Sequence, residues 1–297
     1  MPLPDLLLGP IFVGTILNVF LMGVMCVQCT LYFTTFKQDR KGIQPLVWSL
    51  LVADTVNTAF LVAVLYGDVI TNFGDLNAAE HTTWPATAGP LLNTIIATCV
   101  QCFFARRVYF LTPHRWVVIP IAIGISLQFV GGITVTIISN LLPNVVEWNE
   151  PRMKIPLITN VALGAVVDSL ITAILTWTLR QSRTGISITD HLVTKLIRLT
   201  VQTGMVTTAV AVIDLILFLS SSYPFHLITG LILAKVYTNS LMSTLNARIM
   251  ISRSDYRSQG RVLTDVNWPF SNDVYPTGGV SGIQVEVTTE VSQRLDD

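Results

Sequence analysis

The sequence predicts an all-α, polytopic membrane bundle of seven transmembrane helices. The amino terminus is expected outside, the carboxyl terminus in the cytosol, with a disordered tail behind the last helix. Three observations carry this. The 297 residues are 51% hydrophobic and only 12% charged, with a mean hydropathy of +0.61, whereas soluble chains carry about 25% charged residues. Seven apolar stretches each reach the roughly 20 residues needed to cross a hydrocarbon core about 30 Å thick. Fifteen of the eighteen Lys and Arg residues fall on one side of those stretches, as cytoplasmic loops require.

The elements follow in order, with basic residues marking alternate connections. The first stretch, 8–32, precedes Lys37, Arg40 and Lys41. The second, 46–66, leads into an acidic, turn-rich loop with Asp68, Gly74, Asp75 and Glu80. The third, 88–110, ends at Arg106 and Arg107, with Arg115 beyond. The fourth, 116–139, enters a loop at 140–156 with prolines and Trp148. The fifth, 157–179, precedes Arg180 and Arg183, and the sixth, 196–219, begins among Lys195 and Arg198. The seventh, 226–247, runs into Arg248, Arg253 and Arg257. Basic side chains inside a span end suit reach-back to head groups. The runs are continuous and lack period-2 alternation, which excludes a β-barrel. Two domains result: 1–250 is the transmembrane domain, and 251–297, rich in Ser, Thr, Gly and Asp, is a mostly disordered cytosolic tail. Within it, Ile283, Val285 and Val287 alternate with polar residues, a weak strand signal.

Several function classes drop out. Lys plus Arg (18) equals Asp plus Glu (18), so no basic excess exists for nucleic acid. Nucleotide-binding, serine-hydrolase and zinc-protease motifs are absent, so no catalytic residue and no enzyme are expected. Cys26/Cys29 and Cys99/Cys102 form two CxxC pairs, but inside apolar helices they read as buried thiols rather than zinc ligands. Neither metal nor cofactor is expected.

The candidate site rests on ionisable residues at membrane depth, which cost about 2.5–3.5 kcal/mol each and are functional candidates by default. Asp168 falls at the centre of the fifth stretch. Asp54 lies about 3 Å inward of centre and Lys235 about 2 Å outward, while Asp214 lies roughly 10 Å toward the outer face. Lys235 therefore has two mid-depth acids available as partners. Asn57, three residues from Asp54, and Asn239, four from Lys235, share their helix faces. Four readings follow: a structural ion pair, a polar ligand site, a proton relay, and an imine-forming lysine of the retinal type. Other polar residues, Asn18, Asn93, Gln101, Gln128 and Asn160, extend the interior, mostly as interhelical hydrogen-bond partners. Gly131 and Gly132 allow close helix approach. Arg248, Arg253 and Arg257 are expected at the cytosolic face against anionic lipid, as a juxtamembrane charge run or a short interfacial helix.

The opening LLLGPIFVGTILNVFLMGVMCVQCTLYF (6–33), VITNFGD (69–75), VQCFFARRVYFL (100–111) and LAKVYTNSLMSTLNAR (233–248) together resemble a family of basidiomycete fungal seven-helix membrane proteins catalogued as domain of unknown function 6534. Lys235, Tyr237, Asn239, Ser240, Leu245, Asn246 and Arg248 match its closing pattern; Ile251-Ser252 departs where the family often has Leu-Arg. The resemblance implies seven spans, a membrane location and no established activity. Similarity to G-protein-coupled receptors is topological only. Three functions remain open: a receptor-like sensor of a small ligand with a cytosolic protein partner, a small-solute or proton transporter, and a structural scaffold. Membrane lipid is a partner in each, and the plasma membrane is the expected location.

Overall fold

The computed structural model describes residues 3–37, 42–75, 83–142, 150–181, 187–221 and 224–258. Seven long helices make up almost all of it: α1 (Leu3–Thr35), α2 (Ile43–Tyr66), α3 (Trp84–Leu111), α4 (Val118–Leu141), α5 (Pro151–Gln181), α6 (Ser187–Ser220) and α7 (Leu227–Ser258). A π-helical turn, Gly67–Thr71, extends α2, and a 3-10 turn, Arg115–Val117, leads into α4. No strand occurs among the described residues. The chain divides into a compact unit, Met1–Asp255, and a carboxyl-terminal segment, Tyr256–Asp297. The strand signal at 283–287 lies outside the described residues.

Helix boundaries follow from local chemistry. Pro85 occupies the first turn of α3 behind an extended Thr83, where a missing N–H costs nothing. α5 starts at Pro151 rather than near 157; its first-turn proline suits a helix start, and Met153 is already buried. α7 runs on to Ser258, past the boundary expected at residue 250. No glycine or proline lies between Gly230 and Gly260, so nothing stops it earlier.

Six helices, α1 to α6, are long and apolar enough to cross a membrane. Their surfaces are inverted relative to a soluble protein: Phe20, Val27, Val52, Ile123, Val130 and Ile216 are exposed, while Asn18, Asp54, Gln101 and Lys235 are buried. Buried polar groups and an apolar exterior suit a lipid solvent. Aromatic residues mark both ends of the slab, with exposed Tyr66 and Trp84 at one end and Trp48, Trp116 and Trp177 at the other, as at the two membrane–water boundaries.

α7 differs from the rest, and burial explains why. None of residues 227–248 is exposed. Its polar side chains need no lipid compatibility, so it falls outside the apolar criterion that the other six satisfy. Three amides tie α7 to α1. Asn18 donates to the Leu231 carbonyl at 2.6 Å, Asn239 to Leu21 at 3.2 Å and Asn246 to Gln28 at 2.9 Å. Residue numbers rise together in these pairs, so α1 and α7 run parallel. α4 and α5 run antiparallel, with Gly124 near Val167, Gln128 near Gly164 and Gly131 near Asn160. Helices approach closely where Gly132 of α4 meets the Thr94 side chain of α3 and where Gly204 of α6 meets the Thr172 side chain of α5. Those glycines do what small residues do at helix interfaces in membranes.

Candidate functional site: a cavity ringed by seven helices

The mid-depth acids take different partners. Lys235 Nζ donates to Asp54 Oδ1 at 2.9 Å and to the Asp54 backbone carbonyl at 2.6 Å. Both side chains are 0% exposed. Asp168 does not share in this pair. It accepts from Tyr237 Oη at 2.7 Å and from Gln101 Nε2 at 3.0 Å. Lys235 and Tyr237 are two residues apart, about 200° around α7, so one helix serves two acids on opposite sides. Asp214 accepts from Thr229 Oγ1 at 2.7 Å, joining α6 to α7. Asn239 donates to its own helix at Lys235 as well as to α1. Asn57 donates to Asn93 Oδ1 at 3.2 Å.

The open space lies beside this layer rather than within it. A cavity of about 200 Å³ has wall residues from all seven helices. Its apolar wall includes Ile11, Leu61, Ala97, Val135, Val161 and Leu231. Its polar wall residues are Asn57, Asn93, Gln128 and Asn160 from α2 to α5, together with Asp68, Asp214, His226, Tyr237, Thr83 and Thr94. The space reaches exposed Thr83 at the end where α2 gives way to its π turn. Mostly apolar walls with a few convergent polar groups are the usual form of a small-molecule site.

Tyr237 also borders a second, smaller space of about 30 Å³, lined by Gln101, Asp168, Thr172, Thr203, Thr207 and Ser240. Tyr237 is therefore shared by the walls of the larger cavity and the Asp168 pocket.

Of the residues the sequence singled out, Asn57 and Asp214 line the large cavity and Asp168 the small one. Lys235, Asp54 and Asn239 line neither, and an imine-forming lysine would have to face such a space. Arg248 is half-buried over the Phe36 ring at 4.3 Å and donates to the Leu245 carbonyl. Arg253 and Arg257 lie within α7, but their side chains fall outside the described residues.

Residues 164–249 match the family of unknown function DUF6534. The matched stretch is under a third of the chain. It runs from Gly164 in α5 to Ile249 in α7 and holds Asp168, Asp214, Lys235 and Tyr237. No curated protein and no solved structure matches the chain.

Sequence reasoning left Asp68, His226 and Tyr237 out of the site. Asp68 follows the second apolar stretch, which ends at residue 66, and so reads as a loop residue. Its helical spacing was legible: Asn57, Leu61, Val64 and Asp68 recur every three or four residues, and all four line the cavity. Tyr237 stood within the resemblance pattern without a role. His226 sat at a span edge, where nothing distinguishes a buried imidazole from a solvated one.

Proposed function

We propose that this protein is a receptor-like sensor that binds a small ligand within its seven-helix cavity and reports occupancy at its cytosolic face. All seven helices cross the membrane in this reading, with the amino terminus outside and the plasma membrane as location. The observation that carries it is the cavity itself, because every helix contributes to one wall. A ligand there would touch α5, α6 and α7 together, and any difference in its contacts between two helix arrangements shifts their populations. The mouth near Thr83, Asp68 and His226 lies at the end expected to face outward. The basic residues cluster at the other end, where a cytosolic protein would meet them.

The test uses Gly89, a buried residue of α3 that lines the cavity. A Cβ placed there meets nothing within 4 Å, so Gly89→Leu projects a side chain into open space. Native mass spectrometry of the full chain purified from its own membrane should find a co-purifying small molecule that Gly89→Leu lacks. The same complement of bound molecules in both forms refutes the cavity as a ligand site.

One observation favours a second reading, a transporter of small solutes or protons. The Asp168 pocket and the large cavity share Tyr237 in their walls, as successive stations on a path would. Uptake into vesicles that Tyr237→Phe or Asp168→Asn abolishes would support it. A sensor shows no uptake in either form.

A further inference from the structure

The polar chemistry of the large cavity is one-sided. Two carboxyl side chains, Asp68 and Asp214, line it, and no lysine or arginine does among the described residues. His226 also lines it, and an imidazole is mostly neutral near pH 7. Asp214 accepts from Thr229 and has no cationic partner among the described residues. Asp68 is buried in the π turn and has no hydrogen bond or ion pair among the described residues. Such turns recur at functional sites, but here the acid in it matters more than the turn.

A second observation is independent of the acids. Asn57, 1% exposed, and Gln128, 7% exposed, line the same cavity. Each has an amide oxygen with no hydrogen-bond partner, and so does Asn160. Buried amide oxygens are normally paired, so each exception calls for an explanation. Amide orientation is assigned rather than seen, but exchanging N and O would still leave unpaired polar atoms at these positions. Two carboxyl groups without a cation beside them and three residues with an unpaired amide oxygen thus line one mostly apolar space. The space exceeds the roughly 150 Å³ that accommodates a benzene ring.

We propose that this cavity takes a small organic ammonium ion: an apolar body of about one ring or a short alkyl chain, bearing a protonated amine. The ammonium supplies the donors and the positive charge that the wall lacks. Asp214 and Asp68 receive it, and the amides of Asn57, Gln128 and Asn160 receive further N–H or O–H groups. This inference rests on the cavity being a ligand site and adds the class of ligand. It does not involve Lys235 and Asp54, which pair with each other and do not line the cavity.

Three near-isosteric probes test it: 2-phenylethylamine, 2-phenylethanol and phenylacetate, a cation, a neutral molecule and an anion at pH 7. Equilibrium binding is measured on the full chain in nanodiscs of phosphatidylcholine, whose zwitterionic surface does not concentrate either ion. The amine should bind about tenfold to a hundredfold more tightly than the alcohol, the range of a single charge-assisted hydrogen bond, and phenylacetate should be weakest. Asp214→Asn, which keeps an acceptor for Thr229, and Asp68→Asn should each shrink the amine-to-alcohol ratio, and together bring it toward one. Gly89→Leu should weaken all three probes. Alcohol or phenylacetate binding as well as the amine overturns the ammonium inference while leaving the cavity as a ligand site. Amine binding that survives both Asp variants, or no amine binding at millimolar concentration, also overturns it. If all three probes ignore Gly89→Leu, they bind elsewhere, and both this inference and the cavity reading fall.

Discussion

Replacing Lys235 with methionine keeps the apolar stem and removes the ammonium. Asp54 is then left with no exposure to water, without its 2.9 Å partner and without the cation that also bridges its backbone carbonyl. Breaking a buried pair from one side costs about 3–5 kcal/mol. A separate route gives the same size: protonating a carboxyl that ionises near pH 4 in water costs about 4 kcal/mol at pH 7. Lys235→Met should therefore lose about 4 kcal/mol. Combining it with Asp54→Leu removes both charges, and the Asp54 carbonyl keeps its bond from Thr58 Oγ1 at 3.0 Å in wild-type geometry through the backbone of residue 54. The double variant should lose about 1 kcal/mol or less. SDS-driven unfolding of the full chain in mixed micelles, followed by far-UV circular dichroism, reads both. A double variant as unstable as the single one refutes the reasoning, because the cost would then lie in lysine packing rather than in an orphaned carboxylate. A single variant within about 1 kcal/mol of wild type refutes it from the other side.

Other outcomes follow from other contacts. Tyr237→Phe removes the donor to Asp168 and should cost about 1.5–3 kcal/mol by the same unfolding assay, with the ring retained. Gly132→Ala drives a Cβ into the Thr94 side chain; an overpacking cost of about 1–3 kcal/mol outweighs a helical gain of about 1 kcal/mol, so the unfolding midpoint should fall. Asn239→Leu and Asn246→Leu each remove one tie to α1 and should lower stability by about 1 kcal/mol apiece. For orientation, glycosylation acceptors engineered after Gly74 should be modified and acceptors engineered after Ser258 should not; the reverse pattern would invert the proposed topology.

Much of the fold was legible because lipid imposes rules a sequence cannot evade. Hydropathy located all seven helices but fell short at several ends: α1 starts at Leu3, α5 at Pro151 and α6 at Ser187, and α7 runs beyond Met250. That Lys235 needs an acid was legible too, since an unpaired ammonium at that depth is costly. Which acid it takes was not. Helical rise gives depth and places Asp54 and Asp168 almost level, but rotation about each helix axis decides which faces Lys235. Packing turned Tyr237 toward Asp168 and left Asp54 to the lysine. The cavity was illegible for a related reason. Leu61, Val161 and Leu231 look like ordinary core residues, and only three-dimensional packing reveals that nothing fills the space between them. Asp68 was the missed opportunity, because its spacing from Asn57 placed it on the inward face despite the polar loop behind it.

The parallel seam between α1 and α7 has a consequence for biosynthesis. Its partners are separated by 213 to 218 residues. At about 5–20 residues per second, the ribosome delivers the closing helix roughly ten to forty seconds after the opening one. Until then Asn18 lacks its acceptor and Asp54 its counter-charge, both inside the lipid slab. A chain interrupted before residue 231 would keep those groups unanswered indefinitely, a ready mark by which membrane quality control could tell an unfinished molecule from a finished one.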